Sequence, residues 1–484
     1  MLKALYVILI SLGLALVFNL LFFGKLIGIS VLIFTVILLG AVLLFRRSQQ
    51  LPFQKTWWLV LLITFFAAMP SIRANEFLNF LNICAVLGLL MLLAHELKGT
   101  PTFIMRLRNY AVLMILAPLR MLASALSTVS LLGQVHSKVK QHDMWLRIFK
   151  GALMAVPVLI IFGVLFSQAD LAFSQFVKSF VDINISERTI QYLVLLAIVF
   201  VSVLSFLSYI FISKQGKEAE PTRQSPVALP GREIEVMVFL GLISTLFLVF
   251  IGFQINYLFG GETNIINAGF TYAEYARRGF WELLAVGILS LLVLVASEKY
   301  ADAESKKDKR FLIPALILIA EVVIVIISAF KRLSLYIDAY SMTSLRFYVS
   351  AFIMLLLVWF VLFAIKLIIA KREQFFTFGA LLSVAGFLMT INFINPDAFI
   401  AKANLEQYNR TGKLDVHYLR ELSVDAVHWK VELYNKLEGE DKAALRELLQ
   451  NHKDKLQRNT SDWQSANISR TRALQLLENN NLEN

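Results

Sequence analysis

Two polar segments carry the residue types that could do chemistry. Thr271–Glu282 reads TYAEYARRGFWE, and Lys331–Tyr348 reads KRLSLYIDAYSMTSLRFY. On a helix, Glu274 reaches Arg278 and Arg278 reaches Glu282, each four residues on. In the second segment Arg332, Tyr336 and Tyr340 share one face at the same spacing, and Ser334 and Asp338 share another. Planar guanidinium groups match phosphate and carboxylate geometry with two parallel hydrogen bonds, most strongly where water is excluded. Arg277, Arg278, Arg332 and Arg346, with Glu274 and Asp338 as balancing acids and Tyr272 and Tyr336 beside them, therefore define a candidate anion site with a net positive charge. A plainer reading of the same residues is an interfacial belt of aromatics and arginines that anchors helix ends.

The elements that must position these residues are long apolar runs. The 484-residue chain is 58% hydrophobic and 17% charged. A soluble chain is about 45–50% apolar and about 25% charged. The excess falls in stretches of roughly 17–25 residues, the length of a membrane-crossing helix. About eleven such stretches fill residues 1–394: Ala4–Phe22, Ile27–Phe45, Trp57–Pro70, Leu78–Ala94, Ala152–Phe166, Ile190–Ile212, Val236–Leu258, Trp281–Ala296, Phe311–Ser328, Phe347–Ile369 and Phe376–Ile394. Alternating strands of the barrel type are absent, and lipid admits only helices and closed barrels. The expected fold is an all-α polytopic membrane bundle with a small C-terminal helical tail. The first run, Met1–Phe23, lacks a signal-peptide cleavage site and reads as a retained helix.

Tyr110–Leu132 is apolar but holds Pro118 and Arg120 between two basic clusters. An interfacial helix, or a re-entrant pair broken at Pro118, keeps both clusters on one side. With that choice the Lys/Arg-rich loops alternate with poorer ones along the whole chain. The positive-inside tendency then puts the N-terminus in the cytoplasm and the C-terminus outside. The expected organisation is a first membrane half (1–212, with 110–132 interfacial or re-entrant), a Pro-containing cytoplasmic linker (213–233), a second half (234–394) and an extracytoplasmic tail (395–484). Val424–Leu437 and Asp441–Leu456 have helical periodicity, and residues 459–484 read as a frayed helix or disordered.

Several function classes find no support. A net charge of +12 would suggest nucleic acid in a soluble protein, but here the cations sit in short loops. There is no phosphate-binding loop, dinucleotide fingerprint, HExxH or CxxC. The histidines have no metal-ligand spacing and Cys84 is the lone cysteine, so no metal site and no cofactor is expected. No catalytic residue is assigned, and the chain reads as more a non-enzyme than an enzyme.

Glu321 lies mid-span in Phe311–Ser328. A charged carboxylate there costs at least roughly 2.5–3.5 kcal/mol, so it should face the bundle interior as a hydrogen-bonded neutral acid, or have a partner. Lys366 could approach it if the helices are neighbours, or could snorkel to the surface. A proton or ion relay at Glu321 is the sharper alternative.

The segments SIRANEFLNFLN, GFTYAEYARRGFWELL, SAFKRLSLYIDAYSMTSLRFY and NPDAFIAKANLEQYNRTGKLDVHYLRELSVDAV resemble the bacterial membrane family known as domain of unknown function 4173, with its sister 4153, over about residues 15–427. The resemblance implies a multipass membrane protein of a family without an established activity. Its recurrent positions fall here on Asp170, Tyr272, Glu274, Tyr275, Arg277, Arg278, Gly279, Arg332, Tyr336, Thr343, Arg346, Asn395, Pro396 and Asp397. Met342 stands where the family often has glycine.

Three functions follow as expectations. The first is a transporter-like or lipid-handling protein whose partners are membrane lipids and an anionic lipid or envelope precursor. The second is a signalling or assembly scaffold whose tail meets an envelope protein. The third is a membrane transferase using Asp170, Glu274 or Asp338 as base.

Overall fold

A computed structural model describes residues 2–48, 57–98, 107–133, 187–212, 232–259, 280–301, 309–369, 373–459 and 462–480. Among these residues there are fifteen α-helices and no strand. Those of the bundle are α1 (Leu2–Phe22), α2 (Ile29–Ser48), α3 (Trp57–Ala68), α4 (Glu76–Leu97), α5 (Leu107–Gly133), α6 (Glu187–Phe211), α7 (Arg232–Phe259), α8 (Phe280–Tyr300), α9 (Lys309–Tyr340), α10 (Ser344–Ile368) and α11 (Glu373–Ile394). Nine are long and apolar enough to cross a membrane. Of the other two expected spans, Trp57–Ser71 is a shorter apolar helix, and Ala152–Phe166 lies outside the described residues.

One apolar core joins α1–α6 and a second joins α7–α10 with Phe376 of α11. In α1 the buried Val7, Ser11 and Leu14 face the first core, while Leu5, Leu9, Leu12, Leu16 and Leu20 form an exposed stripe along the other side. Such a stripe is the face a spanning helix turns to lipid. Between the cores lies α11. On one side Asn392 exchanges amide hydrogen bonds of 2.7 and 2.9 Å with Asn82 of α4. On the other, Trp359 Nε1 of α10 donates to Ser383 Oγ at 2.9 Å. Helix α11 is thus a wall of both cores.

Helix α5 runs unbroken through Pro118, so of the two arrangements expected for it the re-entrant pair broken there does not form. Tyr110, Leu113, Ala117, Met121 and Ala125 make a continuous buried stripe against the first core. That packing holds the helix together although the proline removes one backbone bond.

The tail adds α12 (Pro396–Thr411), α13 (Val427–Lys436), α14 (Gly439–Asn459) and α15 (Ile468–Asn479). The end expected to fray is therefore helical to Asn479, capped by Asn467, whose side chain accepts from the Arg470 amide at 2.9 Å. Asn395 takes the left-handed conformation (φ 58°) between α11 and α12, where asparagine is tolerated, and Pro396 starts α12. A third core, of Leu405, Leu419, Leu433 and Leu449 among others, includes Leu78 of α4, Phe347 of α10 and Ile391 of α11. The tail is a cap seated on helices of both cores.

Candidate functional site at the capped end of the bundle

At 32 residues α9 is about 48 Å long at ~1.5 Å per residue, against roughly 30 Å of hydrocarbon. Its polar last turns therefore carry Arg332, Tyr336, Asp338 and Tyr340 beyond the apolar part. A short turn leads into α10, whose first turn holds Arg346. The Arg346 guanidinium carbon lies 4.1 Å from the centroid of the Tyr336 ring and 6.0 Å from that of Tyr340. Its Nη1 donates to the Tyr340 carbonyl at 2.7 Å and to the Ser341 carbonyl. Ser341 has φ 71°, a left-handed conformation unusual for a non-glycine residue, and Arg346 holds its carbonyl in place.

The cap grips the same turn. Asn404 of α12 accepts from the Met342 amide at 2.9 Å and donates to the Met342 carbonyl at 3.1 Å. Gln407 donates to the Asp338 carbonyl at 3.1 Å. Tyr418 receives the Ser344 amide on its hydroxyl. Met342 thus has both backbone groups paired by one asparagine.

Of the sequence-proposed site, the structure brings Tyr336, Tyr340 and Arg346 together, with Arg332 one turn back along α9. Asp338 is exposed, and among the described residues it makes no ion pair with Arg346. Tyr272, Glu274, Arg277 and Arg278, like Asp170, lie outside the described residues.

Deeper in the bundle, Ser244 Oγ of α7 sits 2.7 Å from both carboxyl oxygens of Glu321, which is 3% exposed. Ser328 of α9 donates to Gln254 of α7 at 2.6 Å, a second polar link in the same parallel pair. Lys366 neither approaches Glu321 nor snorkels. It is buried in an ion pair with Glu298 of α8, with the Phe363 and Phe376 rings beside it.

A buried polar seam between cap and bundle was not foreseen as a unit. Asp425 accepts from the Ala74 amide at 3.0 and 2.9 Å and from the Asn75 amide at 3.1 Å. Burial pushes its carboxyl above the usual range, and hydrogen bonds from Ser469 and the two amides oppose that. Asp397, in the first turn of α12, accepts from the Ser423 amide at 2.8 Å. Arg73 Nε donates to the Asn392 carbonyl at 2.8 Å. Lys430 is fully buried, its Nζ 2.7 Å from the Leu422 carbonyl. Burial pushes its pKa down to about 7, against the attraction of Asp397. Burial, then Lys430 and Lys455, push His452 down to about 4. Lys430 had a sequence signal: in VHWKVELY it occupies the apolar stripe of Val427, Val431 and Tyr434. Asp425 had none, because its partners are backbone amides of a distant loop.

Apolar spanning helices, buried polar residues between them and a helical cap on one end define a multipass integral membrane protein. The chain belongs to the family described as Domain of unknown function (DUF4153), which it matches over residues 60–433. The motif resemblance named the sister family first; the match falls on 4153. No curated protein and no solved structure matches the chain.

Proposed function

We propose that this is a transporter-like or lipid-handling protein of a bacterial inner membrane that receives an anionic group at the outer end of α9 and α10. On this reading residues 1–212 and 234–394 are two membrane halves joined by a cytoplasmic linker at 213–233, and the cap from Asn395 onward is extracytoplasmic. The observation that carries it is the turn between α9 and α10. Arg346 is stacked on Tyr336 there, and Asn404, Gln407 and Tyr418 of the cap fix the backbone around it. A guanidinium rim held rigid in advance loses little entropy when a ligand arrives. Anchoring a helix end alone would not need three cap side chains on one turn. Seating the cap on both halves favours a part in the same machine over a free arm for an envelope partner.

The ligand class is a phosphate-bearing lipid headgroup. Native mass spectrometry of protein from phosphatidylglycerol nanodiscs should show retained phosphatidylglycerol, and phosphatidylcholine should not be retained. Arg278→Lys and Arg332→Lys should lose most of it, because charge remains but the two-pronged fork is gone. Equal retention by wild type and both variants would leave the interfacial-belt reading in its place.

A further inference from the structure

The C-terminal end of the cap returns to the first hairpin of the chain. Between Asp462 and Arg470, polar groups of Asp462, Ser465, Ala466, Asn467 and Arg470 bond to the α1–α2 and α3–α4 connections. Lys25 Nζ is 2.6 Å from Asp462. The Leu26 amide donates to Ser465 Oγ at 3.0 Å and the Ile29 amide to the Ala466 carbonyl at 3.0 Å. Asn467 donates to the carbonyls of Pro70 and Arg73 at 2.8 and 2.9 Å, and Arg470 to that of Ile27 at 3.1 Å. The approach is so close that a Cβ on Gly28 would stand 2.6 Å from the Ala466 carbonyl oxygen. Only glycine admits the segment there.

This docking leaves two large apolar side chains outward, Trp463 at 59% and Ile468 at 46% exposure. A segment with so many satisfied polar groups has no folding reason to turn a tryptophan out. Its surroundings supply one. Gln464, next to Trp463, points its Nε2 at the Leu20 carbonyl, 3.5 Å away, in the last turn of α1. Leu20, 66% exposed, is the final member of the outward stripe Leu5, Leu9, Leu12, Leu16 and Leu20. Leu26 and Ile27 are exposed on the hairpin that the segment covers. Through Gln464 the exposed Trp463 is placed next to the last turn of α1, whose outward stripe ends at Leu20, at the end of a spanning helix, where tryptophan is favoured because its ring meets chains and its N–H meets headgroups.

We propose that residues 463–468 are a membrane-interface anchor: Trp463 and Ile468 insert at the headgroup–acyl boundary beside Leu20, Leu26 and Ile27, and so hold the C-terminal end of the cap on the bilayer. The occupant of this surface is the lipid leaflet itself. The anchor does not depend on the anion site or on which side of the membrane the cap lies.

The test uses full-length protein with Cys84→Ser, in nanodiscs of lipids brominated at shallow acyl positions, with a thiol-reactive fluorophore at one introduced cysteine. Leu20→Cys reports lipid, and Glu440→Cys, exposed at the start of α14, reports solvent. Labels at Trp463→Cys and Ile468→Cys should be quenched by bromolipid to the extent seen at position 20 and shielded from aqueous iodide. Two results overturn the anchor: quenching at 463 and 468 no greater than at 440, or shielding from both bromolipid and iodide, which would mean that protein covers the patch. Two independent positions keep the test decisive if one substitution perturbs the docking.

Discussion

Asp425 and Ala74 are 351 residues apart, yet both carboxylate oxygens of the first lie within 3.0 Å of the backbone amide of the second. The Asn75 amide, at the N-cap of α4, completes the arrangement. This joins the cap to the bundle at a place where the bundle's own backbone has no other partner to offer those amides. Asn75 in turn caps α4 by accepting from the Leu78 amide at 2.7 Å.

Asp425→Ala should loosen the cap. It strands buried amide donors at about 1–3 kcal/mol each. Limited proteolysis of the solubilised protein should then release cap fragments at protease levels that leave wild type whole. Asp425→Asn should fall between the two, since its single amide oxygen can still accept. Wild-type resistance in the alanine variant would mean that the apolar contacts of Leu78, Phe347 and Ile391 hold the cap unaided.

Lys430 makes cap stability depend on pH. Its folded pKa of about 7 lies below the ordinary 10.5, so over that window the unfolded chain binds more protons and stability rises with pH. Below about pH 7 the full burial penalty is present. His452, pushed to about 4, acts in the same sense but only at acid pH, as pH falls below its ordinary 6.5. Lys430→Met should raise the apparent melting midpoint by the equivalent of about 1–4 kcal/mol at about pH 7, with the gain shrinking toward pH 10. A gain that is the same at both pH values would mean that the folded lysine keeps its ordinary pKa and stays as protonated as in the unfolded chain.

Glu321→Gln should preserve expression and a monodisperse elution profile, because the amide oxygen still accepts from the Ser244 hydroxyl. Glu321→Lys should not, since an ammonium there faces a hydroxyl and apolar walls. Ser244→Ala should cost about 1–3 kcal/mol by removing the carboxyl's partner. If Glu321→Gln abolished a transport phenotype at normal expression, the residue would be a relay and not a structural acid.

The proposed orientation rests on where the cations lie. Alkaline phosphatase fused after Ile394 or at the C-terminus should be active, and fused within residues 215–230 it should be inactive. The opposite pattern would invert the assignment. The connections holding Lys25, Arg73 and Ser341 would share one membrane face in either case, since the cap touches all three.

The sequence by itself determined the solvent, the helical class and the elements. Hydropathy over some twenty residues is a local property, and backbone satisfaction in lipid leaves the helix as its outcome. It also marked Glu321 as inward-facing and the Lys331–Tyr348 segment as special, because charge inside an apolar run is legible without knowing the partner. The partners were decided by the tertiary structure. Lys366 found Glu298 and Glu321 found Ser244, because helix neighbours within the second core are set by packing and not by order in the chain. Pro118 did not break α5, because a packed stripe outweighed one missing hydrogen bond. Residues 468–479, in a stretch polar enough to read as frayed or disordered, form a capped helix, and polar groups just before it meet backbone amides and carbonyls of the first two hairpins. Backbone acceptors and donors leave no mark in a sequence. A contact between Asp425 and the amide of Ala74, or between Asn467 and the carbonyl of Pro70, exists only once the chain has brought its two ends together.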